Sequence, residues 1–96
     1  MTDSEIQAKR YFVSGSVQGV GFRYFTQGEA ERLKLSGFVR NVSDGRVEVY
    51  AMGSPTQLSA LRRALERGSR FANVTEVREE PARIEAQFSG QFLITH

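Results

Sequence analysis

The chain turns on Gly15-Ser16-Val17-Gln18-Gly19-Val20-Gly21-Phe22-Arg23. An apolar run, Tyr11-Phe12-Val13, precedes it, and Phe22, Phe25, Ala30 and Leu33 then recur near the 3.6-residue period of a helix. The stretch therefore reads as a strand-to-helix turn. Its glycines let main-chain N–H groups approach a ligand without Cβ obstruction, and the free N–H groups of a helix N-terminus favour an anion. Arg23 adds a planar, permanently charged fork suited to phosphate or carboxylate. A cation in the first helical turn opposes the macrodipole; an anion held between it and the amides removes that conflict. Two readings stand on these residues, a plain tight turn and an oxyanion cradle, the second with a phosphoryl group as its favoured ligand. The third glycine and parallel βαβ setting of a dinucleotide fingerprint are missing, as is the Gly-Lys-Ser/Thr of a nucleotide triphosphate loop.

Outward from the loop, residues 10–15 read as a first strand, rich in aromatic and β-branched side chains. The helix after the loop ends at Ser36-Gly37, with Gly37 as its left-handed cap; Gly28 inside it costs about 1 kcal/mol relative to Ala and implies close packing or simple tolerance. Residues 37–41 form a second strand, Asp44-Gly45 a hairpin, and residues 46–52 a third strand. In that strand Val47, Val49 and Ala51 alternate with Glu48, Tyr50 and Met52, which predicts one face on the core and one largely solvated. Ser54, Pro55 and Gln57 form a capping box with proline at the first helical position. Leu58, Leu61 and Leu65 give the second helix its buried stripe, and Gly68 stops it. Residues 73–79 are a fourth strand, residues 81–90 a polar and irregular stretch, and Phe92-Leu93-Ile94 a short last strand. The order is βαββαβ with a fifth strand, an α+β, ferredoxin-like two-layer sandwich whose antiparallel sheet carries both helices on one face.

Composition removes more chemistry than any motif adds. The 96 residues suit one small domain, and 40% hydrophobic content is enough for a core. The absence of cysteine removes disulfides, thiolate catalysis and Cys-based metal sites. With a single histidine, His96, terminal and expected to be mobile, a zinc site or a Ser-His system is not supported. Ser14 and Ser16 have no histidine nearby to activate them. Thirteen basic and eleven acidic residues give a net charge of +2, short of the clustered charge of a nucleic-acid footprint. No apolar run approaches the ~20 residues that span a bilayer. Residues 1–9 are polar, carry no signal-peptide core, and are expected to be a frayed tail ahead of the domain at residues 10–96. A soluble cytoplasmic protein is the expectation. Arg62, Arg63, Arg67 and Arg70 read as a solvated face interleaved with Glu66, and Tyr24 and Tyr50 as amphipathic packing. Asn41, ending the second strand, is either a turn-former or a carboxamide able to hold a water beside a bound phosphoryl group.

The two motifs together resemble those of the acylphosphatase family. Gly15-x-Val17-Gln18-Gly19-Val20-x-Phe22-Arg23 matches the first, and Gly37-Phe38-Val39-Arg40-Asn41-x-x-x-Gly45-x-Val47, followed by Gly53, matches the second. The resemblance runs from about Arg10 to Ile94. It implies hydrolysis of carboxyl-phosphate anhydrides to carboxylate and inorganic phosphate, without metal or cofactor. It further implies that the amides of Ser16, Val17, Gln18, Gly19, Val20, Gly21 and Phe22 grip the phosphate with the Arg23 guanidinium, and that Asn41 positions the attacking water. Arg23 and Asn41 would then be the catalytic pair. The partners implied are a small acyl phosphate and inorganic phosphate as product and inhibitor, with no nucleic acid, no membrane and a monomeric chain. Ser69 after Gly68, where the family often has proline, and Gly28 are the departures, and neither touches the implied site.

Two other readings share the loop or the element order. An RNA-recognition module has the same βαββαβ order and stacks bases on sheet aromatics. Here the Gly-Phe-Val run falls on the second strand instead of the third, and the third lacks the required aromatics. A catalytically silent phosphate-binding regulator would keep the loop and lose the water site, whereas Asn41 is present.

Overall fold

Alternation along the first strand sets the sheet: Tyr11 and Val13 are buried on one side, while Arg10, Phe12 and Ser14 are only part-buried on the other. In the computed structural model, which describes residues 5–96, this strand is β1 (Gln7–Ser16). It is followed by α1 (Phe22–Arg32), β2 (Ser36–Asn41), β3 (Val47–Gly53), α2 (Pro55–Arg67), β4 (Asn73–Ala82), a single 3-10 turn at Ala86–Phe88, and β5 (Phe92–Thr95). The strands lie in the order β4-β1-β3-β2-β5. The first four are antiparallel, with Tyr11 opposite both Val49 and Glu79, and Val39 opposite Val49. This is the expected ferredoxin-like arrangement, with one addition: β5 runs parallel to β2, so the sheet as a whole is mixed. Gln7, Ala8 and Lys9, expected to be frayed, pair with Gly53, Met52 and Ala51 and belong to β1. The remainder of the expected tail, residues 1–4, lies outside the described residues.

One face of the sheet and both helices share the main core. Val13, Val17, Phe22, Ala30, Val39, Val47, Val49, Leu58, Leu61 and Leu65 pack there with almost no exposure. At roughly 1.5–3 kcal/mol for each fully buried Val, Leu or Phe, this layer is the main source of stability. α2 begins as its sequence foretells: Ser54 Oγ accepts from Gln57 N–H at 3.2 Å, and Gln57 Oε1 accepts from Ser54 N–H at 2.8 Å. Arg62 departs from the solvated face expected of it. Its guanidinium donates to the Val77 carbonyl and to Glu79, both at 2.9 Å, fastening α2 to β4. Lys9 joins the same carboxylate at 3.1 Å. Burial alone would raise the Glu79 carboxyl, but the bonds and charges of Arg62 and Lys9 outweigh it and hold the group below its ordinary range.

α1 ends differently from the expectation. Lys34, not Gly37, adopts the left-handed conformation, with φ 61°. Leu35 N–H bonds to Ala30 C=O at 2.8 Å and Lys34 N–H to Glu31 C=O at 3.0 Å, the paired bonds of a Schellman cap. Gly37 lies inside β2, where a Cβ would fall on the Tyr50 carbonyl. Its glycine is required by the close approach of two strands rather than by a helix end. Gly28 has open space beside its Cα, so it is tolerated and not packed.

The second face of the sheet is also covered, which corrects the expected solvation of Glu48, Tyr50 and Met52. All seven residues of β3 are buried. Glu48 is enclosed by Arg10 and by Arg40, whose Nε lies 2.7 Å from its carboxylate. Tyr50 stacks on Phe38 at 5.4 Å and meets Phe88 at 5.7 Å, and its hydroxyl donates to the Arg83 carbonyl at 2.5 Å. Residues 83–91 thus form a strap across β2 and β3, with Phe88 as its apolar contact. Phe38 and Tyr50, the aromatics that a base-stacking sheet would present, are occupied by it. Phe88→Ala should lower stability by about 2 kcal/mol, less than for a fully enclosed ring because Phe88 is only half-buried. A denaturation midpoint equal to that of the parent chain would show that the strap contributes nothing.

Candidate active site

Val17 and Phe22 are both in the main core, each about 1% exposed. Between them the chain must cross the edge of the sheet while keeping its ends pinned. Gly19 and Gly21 make this possible with φ of 75° and 76°, in the left-handed region open to glycine at no steric cost. Gly21 is the N-cap of α1 and supplies no side-chain cap. The first bond of the helix runs from Phe25 N–H to Gly21 C=O at 3.0 Å, so the amides of Phe22, Arg23 and Tyr24 have no intrahelical acceptor. A helix start whose N–H groups are left open by its own cap is an anion site in waiting.

The amides named from the sequence are not equivalent. Ser16 sits in β1 opposite Asn73, and Val17 N–H already donates to Gly15 C=O at 3.1 Å. The open groups are those from Gln18 onward. A cavity of about 120 Å³ lies against them, lined by Val17, Gly19, Gly21, Phe22, Arg23, Tyr24 and Asn41. Arg23 and Asn41, eighteen positions apart in sequence, are therefore brought to one small space. Ser16, Gln18 and Val20 do not line it.

Gln18 acts elsewhere. Its side-chain amide donates to the Val42 carbonyl at 2.8 Å and to the Arg46 carbonyl at 2.9 Å. Two carbonyl oxygens can be satisfied only by the NH2 end of the carboxamide. The same carbonyls close the β2–β3 hairpin, accepting from Gly45 N–H at 3.0 Å and Val42 N–H at 2.8 Å. Gln18 thus ties the loop to the turn directly after Asn41. Within that turn Asp44 accepts from the Arg46 main chain at 3.1 Å, a bond that with the Arg46 guanidinium holds the carboxyl below its ordinary range.

Arg23 is positioned by the other end of the chain. Its Nη1 lies 3.4 Å from the Thr95 carbonyl and 3.2 Å from His96 Nδ1. Guanidinium only donates, so Nδ1 accepts and the imidazole proton of this arrangement is on Nε2. One turn further along α1, Gln27 donates to the Phe92 carbonyl at 3.1 Å. Two side chains on one stripe of α1 therefore grip the main chain of β5. His96, expected to be mobile, is the second partner of Arg23. Nε and Nη2 of Arg23 have no protein partner among the described residues and remain for the cavity. Tyr24 is 74% exposed, so the packing expected of it does not occur, whereas Tyr50 is fully buried. The Gln18 tether, the β5 contacts of Arg23 and the exposure of Tyr24 all escaped the sequence reading, since no local pattern encodes them.

Comparison with known proteins agrees with this fold. The acylphosphatase family model matches residues 9–94. The chain is 49% identical over 81 residues to an acylphosphatase of Solibacter usitatus, covering 84% of each. The crystal structure of acylphosphatase from Bacillus subtilis superposes with a TM-score of 0.88 at 40% identity, over 96% of this chain and all of that one. That of an acylphosphatase from Coxiella burnetii superposes at 0.89 with 33% identity, over 99% and 98%. The family model and these relatives place the chain among hydrolases of ferredoxin-like fold. The chain belongs to the acylphosphatase family, enzymes acting on acyl phosphates. Among the described residues, no helix is long and apolar enough to cross a membrane.

Removing the Gln18 carboxamide should separate positioning from folding. Gln18→Ala loses two exposed hydrogen bonds, about 1 kcal/mol of stability. It also frees the loop from the turn beside Asn41, and kcat should fall about 10- to 100-fold. Unchanged kcat in the folded variant would show that the tether does not position the site.

Proposed function

We propose that this chain hydrolyses acyl phosphates by in-line attack of a water held by Asn41 on a phosphoryl group held by the loop and Arg23. The observation that carries this reading is the convergence of Arg23, Asn41 and the open helix start on one cavity of about 120 Å³. That volume is well below the ~300–1,000 Å³ of pockets that enclose drug-sized ligands, and it suits a phosphoryl group with a water beside it. The open amides of Gly19, Gly21 and Phe22, with Nε and Nη2 of Arg23, supply donors to the equatorial oxygens. The Asn41 carboxamide accepts from the water through its oxygen and donates through its nitrogen.

The reaction needs little else. Water adds to phosphorus as the bond to the carboxylate oxygen breaks, and a phosphoryl oxygen takes the water's proton. The products are a carboxylate and inorganic phosphate. The carboxylate is a weak base and leaves without a general acid, so positioning and electrostatics carry the acceleration. A single preorganised donor of this kind is worth about 3–4 kcal/mol, and several act together here. Inorganic phosphate re-enters the same cradle and inhibits. Each element of the cavity comes from one chain, so a monomer suffices, and a cysteine-free sequence suits the cytoplasm.

Release of phosphate from acetyl and benzoyl phosphate, with and without chelator, tests the reading, and folded protein that hydrolyses neither would refute it. Arg23→Ala should lose inhibition by inorganic phosphate along with at least ~10³-fold in kcat/KM; retained phosphate inhibition would remove Arg23 from the cradle. Asn41→Ala should lower kcat by about 10²- to 10³-fold with phosphate inhibition nearly unchanged. A parallel loss of phosphate affinity would assign Asn41 to the phosphate rather than to the water.

A further inference from the structure

The cavity accounts for half of the substrate. An acyl phosphate also carries an acyl group, and a space of about 120 Å³ that takes the phosphoryl group and a water leaves the acyl group at its mouth. The exposed large apolar side chain in its lining is Tyr24. Among the described residues five large hydrophobic side chains are exposed, Ile6, Tyr24, Phe71, Ile84 and Leu93, and Tyr24 is the one that lines the cavity. It stands in the first turn of α1, outside the stripe of Phe22, Thr26 and Ala30 that the helix buries. Among the described residues no ring, cation or hydrogen-bond partner engages it, in contrast to Phe12 and Phe38, each capped by an arginine. Its ring is presented to solvent beside Arg23.

The direction of the chemistry agrees with this placement. In-line displacement puts the water and the departing carboxylate on opposite sides of phosphorus. Asn41, which holds the water in the reading above, enters from the end of β2, and Tyr24 enters from α1. The acyl group therefore leaves on the side of phosphorus away from Asn41, and Tyr24 is the exposed apolar side chain of the lining that is available to it. We propose that Tyr24 is the specificity-determining contact for the acyl half, and that its exposed ring favours flat aromatic acyl groups over acetyl. This rests on the proposed reaction. A tyrosine suits the role because its ring gives apolar area and a stacking face while the hydroxyl remains solvated.

The test compares benzoyl and acetyl phosphate in the parent chain, Tyr24→Ala and Tyr24→Phe, with inhibition by inorganic phosphate measured in each. The ratio of kcat/KM for benzoyl phosphate to that for acetyl phosphate should fall about 3- to 10-fold in Tyr24→Ala, chiefly through KM for benzoyl phosphate. Tyr24→Phe keeps the ring and should keep the ratio. Phosphate inhibition should be the same in all three, which also reports an intact fold and cradle. An unchanged ratio in Tyr24→Ala overturns the proposal. So does an equal loss on both substrates accompanied by weaker phosphate inhibition, which would make Tyr24 part of the cradle. A parent chain that hydrolyses neither substrate defeats the proposed reaction itself, and this inference with it; active protein with an unaltered ratio defeats the inference alone.

Discussion

The site depends on the burial of two apolar side chains at the ends of one short loop. Val17 and Phe22 are drawn into the same core, and the chain between them has neither the length nor the side chains to satisfy its own main-chain donors. Burial at the flanks thus holds several N–H groups at the solvent face without a main-chain acceptor. Two left-handed glycines turn what would be strain into an allowed path. In the proposed reading an anion takes up these donors, so affinity for a phosphoryl group would follow from how the core closes, with Arg23 as the one dedicated side chain.

Around that loop the structure places three restraints of different origin. Gln18 joins it to the β2–β3 turn, the β5 main chain restrains Arg23, and β2 carries Asn41 into register with Val47. Each is a polar contact at the margin of an apolar layer. The apolar contacts set where the elements lie, and the polar ones set angles and distances within the cavity.

What could be read from the chain was what local patterns encode. Ser54, Pro55 and Gln57 mark a helix start because a capping box is complete within four residues. Gly15 to Arg23 marked a strand-to-helix turn for the same reason. Asn41 was ambiguous by spacing and gained a role only from the motif around it. The misreadings were all non-local. Gly37 looks like a helix cap in one dimension, but its neighbour is the Tyr50 carbonyl across the sheet. The alternation of β3 was correct as a pattern and misleading as a guide to solvent, because a strap some 35 positions later covers the second face. The hold of β5 on Arg23 spans 72 positions, a distance at which no propensity or periodicity carries information.

The parallel pairing of β5 with β2 has a further consequence, in the time domain. β1, the centre of the sheet's left half, pairs only with strands distant in sequence, and β5 docks on a strand more than fifty positions earlier. Contacts of this kind reward the chain only after large loops have closed, which places such topologies on the slow side of two-state folding. Arg23 takes its restraint from the strand that comes last in the chain. A chain with α1, α2 and four strands assembled would have most of its hydrophobic layer, Phe92 excepted, and its loop, yet its guanidinium would still sample conformations that the docked β5 forbids. The restraint on Arg23 is thus complete only once β5 has docked on β2.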